Sequence, residues 1–126
     1  MAVKGSTKIL IVDDMPTSRQ AARTLLHQMG LKKTTEVTNG EAALEKLRSD
    51  KFGLVLCELK VEKLNGLELA TVMKQTNELA KIPFILMTGD TKKDLILKAN
   101  QIGVKNILVK PFSQQSLTEV LIKVFN

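Results

Sequence analysis

The sequence predicts an α/β domain built on a doubly wound, five-stranded parallel sheet of strand order 2-1-3-4-5. Four short apolar runs recur without alternating polar residues, and such runs are typical of strands that helices cover on both faces. Segments with helical spacing follow the strands, which divides the chain into five βα units and predicts a three-layer (βα)5 sandwich. With 126 residues and no linker or internal repeat, residues 1–126 are expected to form one domain.

The elements are predicted in chain order from their local patterns. The strands are KILIV at 8–12, TTEVT at 34–38 as the weakest candidate, LVLC at 54–57, FILM at 84–87 and NILV at 106–109. Helices are predicted at 16–29, 41–49, 67–75, 92–101 and 114–125. Pro16 suits a first helical turn, Gly30 follows the end of the first helix, and Ser113 can cap the last one.

Composition and charge exclude several classes of protein. No apolar run reaches the roughly 18 residues of a membrane span and the start lacks a secretory signal, so a cytoplasmic protein is expected. The net charge of +6 could attract nucleic acid, acidic protein surfaces or anionic lipid. Because the chain has no Trp or Tyr, stacking platforms for nucleic acid are not evident. Cys57 is interpreted as a buried hydrophobe, and His27 as a partly covered helix residue.

Polar residues follow four of the predicted strands. Asp13 and Asp14 come after the first strand, Glu58 after the third, Thr88 after the fourth and Lys110 after the fifth. In sheets of this class the carboxyl ends of the strands form the ligand crevice. Three converging carboxylates need a cation, and hard oxygen ligands favour Mg²⁺. A hydroxyl and an ammonium on the opposite wall would suit the oxygens of a phosphoryl group.

Four motifs carry a resemblance to a known family. They are ILIVDD at 9–14, NGEAAL at 39–44, FILMTG at 84–89 and VKPF at 109–112. In order and spacing the chain resembles the receiver domains of two-component response regulators, and among them the stand-alone chemotaxis regulators, from about residue 8 to residue 125. The resemblance implies a flavodoxin-like, CheY-like fold and a role in phosphorelay signalling.

The resemblance also implies roles for individual residues. In the family an acidic pair and the phosphoacceptor aspartate hold Mg²⁺, a Thr or Ser and a Lys contact the phosphoryl group, and the Lys-Pro bond is usually cis. A backbone carbonyl two residues after the acceptor also reaches the metal. These roles fall on Asp13, Asp14, Thr88, Lys110, the Lys110–Pro111 bond and Lys60, with Glu58 at the acceptor position.

Glu58 is the main departure from the family, because the acceptor is an aspartate there. Its extra methylene shifts the carboxylate by on the order of an ångström, which can cost about 10²-fold in a reaction that needs in-line alignment. A carboxylate pushed towards Thr88 and Lys110 would imitate a phosphoryl group incompletely, because it carries one charge against roughly −1.5 to −2. The domain is therefore expected to be phosphorylation-independent or phosphomimetic, unless Glu58 is a replacement in a natively phosphorylated protein.

Two further departures concern the metal and the output. Lys60 could pair with Glu58 and compete with Mg²⁺, and Val61-Glu62 replaces the usual Met-Pro. Ile107 stands at the position of the family's switch aromatic and lacks the ring whose movement transmits the signal.

Function is expected to operate through protein contacts, as a monomer that meets a histidine kinase or a motor or output protein, and not as an enzyme. The expected contact face is the fourth helix, fifth strand and fifth helix, with exposed Ile107 and the lysines Lys92, Lys93, Lys98 and Lys105. Two alternatives are a Mg²⁺-dependent phosphoryl-transfer enzyme that uses the same cleft, and a basic nucleic-acid-binding module.

Overall fold

The computed structural model describes residues 3–125, in which five strands alternate with five helices. The strands are β1 (Ile9–Val12), β2 (Thr34–Val37), β3 (Leu54–Glu58), β4 (Phe84–Thr88) and β5 (Ile107–Val109). The helices are α1 (Pro16–Gln28), α2 (Gly40–Ser49), α3 (Gly66–Lys74), α4 (Lys93–Ile102) and α5 (Gln114–Phe125).

The sheet is parallel throughout and its strand order is β2-β1-β3-β4-β5. The predicted fold class and strand order are therefore confirmed. Every residue of β1 and β4 is buried, and β3 is buried except at its last residue. The edge strand β2 is only half-buried along its whole length, which explains why residues 34–38 give the weakest strand pattern.

Two hydrophobic clusters lie on opposite faces of the sheet. Leu10 and Val12 point into a cluster that also contains the buried sides of α2, α3 and α4. Ile9 and Ile11 point into a second cluster, which contains the buried sides of α1 and α5. Since successive side chains of a strand point to opposite faces, an unbroken apolar strand supplies both clusters at once. This arrangement is the predicted three-layer sandwich.

The helix ends follow local chemistry. Pro16 is the first residue of α1, where its missing N–H has no partner to lose. Gly30, just beyond that helix, has a φ of +84°, a left-handed conformation that glycine adopts without strain. At the start of α5, Ser113 Oγ accepts a hydrogen bond from the Ser116 N–H at 3.1 Å, so the predicted cap forms.

The single cysteine and the single histidine are structural. Cys57 is fully buried, and burial, together with the charges of Glu58 and Asp13, raises the pKa of its thiol far above the ordinary value of 9.0. The thiol therefore stays protonated and unreactive. His27 is half-buried on α1 with its Nε2 3.2 Å from Thr34 Oγ1. Within residues 3–125 no helix is long and apolar enough to cross a membrane.

Candidate functional site

The carboxyl ends of four strands bring most of the predicted site residues together. Asp13 follows β1, and Lys110 follows β5 across the sheet. Glu58 and Thr88 are the last residues of β3 and β4, because each of these strands extends one residue beyond its predicted end. Asp13 and Thr88 are the buried polar residues of the described chain. Asp14, by contrast, is exposed.

Lys110 is the centre of the site. Its Nζ donates to Asp13 Oδ2 at 2.6 Å and lies 2.8 Å from Glu58 Oε1. The Asp13 side chain is fully buried, while the side chains of Glu58 and Lys110 are 13% and 16% exposed. An ammonium between two carboxylates in such a poorly solvated place neutralises charge that burial alone would make unfavourable.

The second oxygen of each carboxylate accepts a backbone hydrogen bond. The Met15 N–H donates to Asp13 Oδ1 at 3.0 Å, and the Lys60 N–H donates to Glu58 Oε2 at 3.0 Å. Each carboxylate therefore has one ammonium partner and one peptide partner. Because both of its oxygens are held, neither side chain can rotate without breaking a charge-assisted hydrogen bond.

The pKa of Lys110 reflects this surrounding. Burial of the ammonium lowers its pKa, but the hydrogen bonds and charges of Asp13 and Glu58 outweigh burial, so the pKa is raised above its ordinary value of 10.5. A lysine whose pKa is higher in the folded chain than in the unfolded chain stabilises the fold fully below the unfolded pKa. That contribution is lost as the pH rises through the folded pKa.

We therefore expect an alkaline dependence of stability that disappears when Lys110 is replaced. The difference in unfolding free energy between this chain and Lys110→Met should stay constant from about pH 7 to about pH 9 and shrink above about pH 10.5. Urea denaturation followed by circular dichroism at each pH measures the difference, since the chain has no Trp or Tyr for fluorescence. A difference that stays constant to about pH 12 would contradict the raised pKa.

Thr88 lies in the same cleft, but within residues 3–125 its hydroxyl makes no hydrogen bond to the bridging side chains. Its Oγ1 accepts a hydrogen bond from the Asp90 N–H at 2.9 Å, and its carbonyl accepts one from the Lys110 N–H at 2.8 Å. Glu58, Lys60 and Thr88 line one open pocket. The hydroxyl therefore faces the cleft, but among the described residues it makes no hydrogen bond to Glu58. The peptide bond between Lys110 and Pro111 is cis, as the resemblance implied.

Lys60 contacts Glu58 differently from the expectation. The sequence suggested an ion pair between the side chains of Lys60 and Glu58. This ion pair does not form within residues 3–125, and the Lys60 side chain is exposed. The cation that pairs with Glu58 is Lys110, and Lys60 contributes its backbone N–H instead. The reason is geometric, because the N–H of residue i+2 lies close to the Glu58 carboxylate in the turn that leaves β3.

The loop after β3 is held tightly against α2. Lys63 and Leu64 have φ values of +50° and +81°, which non-glycine residues adopt only when their surroundings enforce them. The Gly40 N–H donates to the Glu62 carbonyl at 3.1 Å. A Cβ at Gly40 would lie 2.0 Å from the Leu64 carbonyl oxygen. The first residue of α2 thus has to be glycine for this loop to pack as it does.

The arrangement differs from the expected convergence of three carboxylates on a divalent cation. Asp14 is exposed, and Asp13 and Glu58 share the Lys110 ammonium. Across residues 3–125 no group of three His, Cys, Asp or Glu side chains is placed to hold a metal ion. As they stand, these side chains do not fit the predicted Mg²⁺ site, because the ammonium occupies the position between two of the three expected ligands.

The predicted contact face contains a groove. All four of its expected lysines are exposed: Lys92, Lys93, Lys98 and Lys105. Ile107 is half-buried, not exposed, because it packs against the core cluster beneath α4. Instead, Ile96 and Val109 expose 39% and 46% of their surface and line the groove together with Ile107. Sequence reasoning missed both, because their helical and strand patterns look like core positions.

Comparisons with known proteins show the family to which the chain belongs. The family model described as "Response regulator receiver domain" matches residues 9–122. The chain is 35% identical over 118 residues to "Chemotaxis protein CheY" of Pseudomonas aeruginosa, and the match covers 94% of this chain and 95% of that protein.

Two solved structures show the same fold. The chemotaxis response regulator CheY4 of Vibrio cholerae matches with a TM-score of 0.85 at 24% identity, covering 94% of this chain and 98% of that one. The receiver domain of a sensor histidine kinase from Pseudomonas aeruginosa, with a magnesium ion coordinated in its active-site cleft, matches with a TM-score of 0.84 at 21% identity, covering 94% and 97%. At these identities the likeness concerns the fold alone.

Proposed function

The chain belongs to the response regulator receiver domains of two-component signalling, and from that premise we propose that Glu58 makes its output independent of phosphorylation. The observation that carries the proposal is the bridge from Asp13 through Lys110 to Glu58, with distances of 2.6 and 2.8 Å. The glutamate thereby engages the lysine assigned by resemblance to the phosphoryl group. The named relatives of this chain are chemotaxis proteins, which favours chemotaxis as the setting.

The bridge leaves the acceptor carboxylate unavailable for attack on a phosphodonor. Glu58 Oε1 is paired with the Lys110 ammonium, and Oε2 accepts the Lys60 N–H. A nucleophilic oxygen must approach the phosphorus in line, and a shift of about 1 Å can cost about 10²-fold. The mimicry is partial, because within residues 3–125 the Thr88 hydroxyl makes no hydrogen bond to the glutamate, and a carboxylate has fewer oxygens and less charge than a phosphate.

Mass spectrometry of the intact protein tests the proposal. The chain, its Glu58→Asp variant and a matched Glu62→Asp variant are incubated with Mg²⁺ and acetyl phosphate. Glu62 is an exposed glutamate of the same loop, so it controls for shortening a nearby side chain. We expect a measurable gain of a phosphoryl group only in Glu58→Asp, because modification of the other two proteins should be about 100-fold slower.

Gain of a phosphoryl group by the unchanged protein would show that the glutamate does not silence the site. If neither the unchanged protein nor Glu58→Asp is modified, the extra methylene of Glu58 is not what silences the site. Release of inorganic phosphate by the unchanged protein would instead support the alternative of an enzyme that uses the cleft.

We further propose that output occurs through the groove between α4, β5 and α5. Exposed apolar surface at Ile96 and Val109 is bordered by the exposed lysines Lys105 and Lys123. An apolar strip with a basic border fits an acidic amphipathic segment of a partner protein, since charge complementarity steers association and the apolar centre supplies affinity.

Charge reversal at this face is expected to weaken such binding. The triple change Lys92→Glu, Lys98→Glu and Lys105→Glu should reduce the affinity for a synthetic acidic amphipathic helix about tenfold or more. A matched triple change at Lys4, Lys32 and Lys33 alters the net charge equally at exposed positions elsewhere. Isothermal titration at low salt compares the variants, and equal losses in both triple variants would show that net charge alone binds the peptide.

A further inference from the structure

The backbone of Asp13 is held by a side chain that plays no part in the bridge itself. Arg19, in the second turn of α1, donates from Nη1 to the Asp13 carbonyl oxygen at 2.8 Å. Its side chain is only 19% exposed. The N–H of Asp13 donates to the Val37 carbonyl at 3.1 Å as part of the sheet. Arg19 therefore fixes the other side of this residue, at the point where the chain leaves β1.

Arg19 is itself held in place from the edge of the sheet. Its Nε lies 3.3 Å from Glu36 Oε1, while Arg23 Nη1 lies 2.5 Å from Glu36 Oε2. Each carboxylate oxygen of Glu36 thus pairs with one arginine. The two arginines lie one helical turn apart on α1. The two arginines share a carboxylate, but only Arg19 reaches Asp13. A planar guanidinium holds its Nε and Nη1 donors at a fixed spacing, so it can make both contacts at once in one defined geometry.

We propose that Arg19 is a positioning residue that fixes the peptide after Asp13 and thereby aims the Asp13 carboxylate at Lys110. The proposal deepens the function proposed above, in that it takes the bridge as the working state of the site. Asp13 Oδ1 accepts the N–H of Met15, two residues on, so the carboxylate and the following turn move together. If the Asp13 carbonyl is released, this turn can rotate, and the Oδ2 contact with Lys110 loosens with it.

Two matched variants test the role of Arg19 in the whole chain. Arg19→Met and Arg23→Met each remove one positive charge and one contact with Glu36, but only Arg19→Met removes the hydrogen bond to Asp13. Two signals of the ¹⁵N-labelled protein report on the site, the Met15 amide and the Lys110 side-chain ammonium. In Arg19→Met we expect the Met15 amide to exchange about tenfold faster and the ammonium signal to be lost. In Arg23→Met the exchange rate of the Met15 amide and the intensity of the Lys110 ammonium signal should each change by less than about twofold.

Equal changes in the two variants, or no change in Arg19→Met, would overturn the positioning role. If Arg19→Met does not fold, Arg19→Lys serves instead, because it keeps the positive charge without the planar guanidinium. It is expected to shift the same two signals. Signals identical to those of the wild-type protein would also overturn the proposal. The proposed function has a separate test, the gain of a phosphoryl group measured by mass spectrometry. Phosphorylation of the wild-type protein would contradict that function but would leave the NMR evidence on Arg19 unchanged.

Discussion

Replacing Lys110 with methionine should lower the free energy of unfolding by about 3 kcal/mol at pH 7, because it leaves two poorly solvated carboxylates without their cation. Asp13 is fully buried and Glu58 is 13% exposed, so solvent can compensate Glu58 only in part. The carboxylates would keep only their backbone hydrogen bonds, from Met15 and Lys60. Urea denaturation followed by circular dichroism gives the value, with Lys81→Met at an exposed position as the control.

A double-mutant cycle separates the bridge from general loss of charge. Glu58→Gln removes one negative charge, so Lys110→Met should cost about 1–2 kcal/mol less in that background than in the unchanged protein. Additive effects would mean that Lys110 and Glu58 do not interact, and the bridge could then not carry the proposed function. A loss of less than about 0.5 kcal/mol in Lys110→Met alone, the range of ordinary surface substitutions, would lead to the same conclusion.

Gly40→Ala should be as damaging, although it adds only one methyl group. The new Cβ would lie 2.0 Å from the Leu64 carbonyl oxygen and 2.6 Å from Leu64 Cβ, so the backbone of the loop has to move. Leu64 already has a left-handed φ of +81°, and the loop cannot relax by rotating it cheaply. We expect a loss of about 3 kcal/mol in the free energy of unfolding, towards the upper end for overpacking.

Gly89→Ala is the matched control for this prediction. Its Cβ would lie 4.0 Å from the nearest atom, the Lys110 carbonyl oxygen, so it has room. Its stability should change by less than about 1 kcal/mol. Equal stabilities of Gly40→Ala and Gly89→Ala would show that the loop after β3 yields freely. In that case the loop could not hold the Lys60 N–H in place against Glu58.

The fold was predictable because its determinants are local. The unbroken apolar runs of β1, β3 and β4 are strands buried on both faces, and the helical segments between the runs leave few topologies for a parallel sheet. The ends of helices could also be predicted where a single residue type determines them, as at Pro16, Gly30 and Ser113. Each strand differed from its prediction by one residue: β1 and β5 begin one residue later, β2 ends one residue earlier, and β3 and β4 end one residue later. At the last two, Glu58 and Thr88 belong to the sheet although their polarity suggests a loop.

The convergence of four of the predicted side chains could be predicted from the sequence, but their pairing could not. The rule that ligand crevices lie beyond the carboxyl ends of parallel strands brought Asp13, Glu58, Thr88 and Lys110 together from sequence positions alone. It could not show that the cation between the carboxylates is an ammonium, or that Asp14 turns outwards. It also could not distinguish Lys60 from Lys110 as the partner of Glu58, because both lysines adjoin the same crevice.

Hydrophobic periodicity and chain connectivity specify the strand order, the two core faces and the edge at which the polar residues meet, so these features can be predicted without coordinates. The pairing of the charges, by contrast, depends on how the helices, strands and loops pack against one another. Lys110 reaches Asp13 from 97 residues away, Arg19 reaches its carbonyl from α1, and Leu64 closes over Gly40. Each of these contacts depends on distances of a few ångströms between segments that are remote in the chain, and short-range electrostatics and steric repulsion change sharply over such distances.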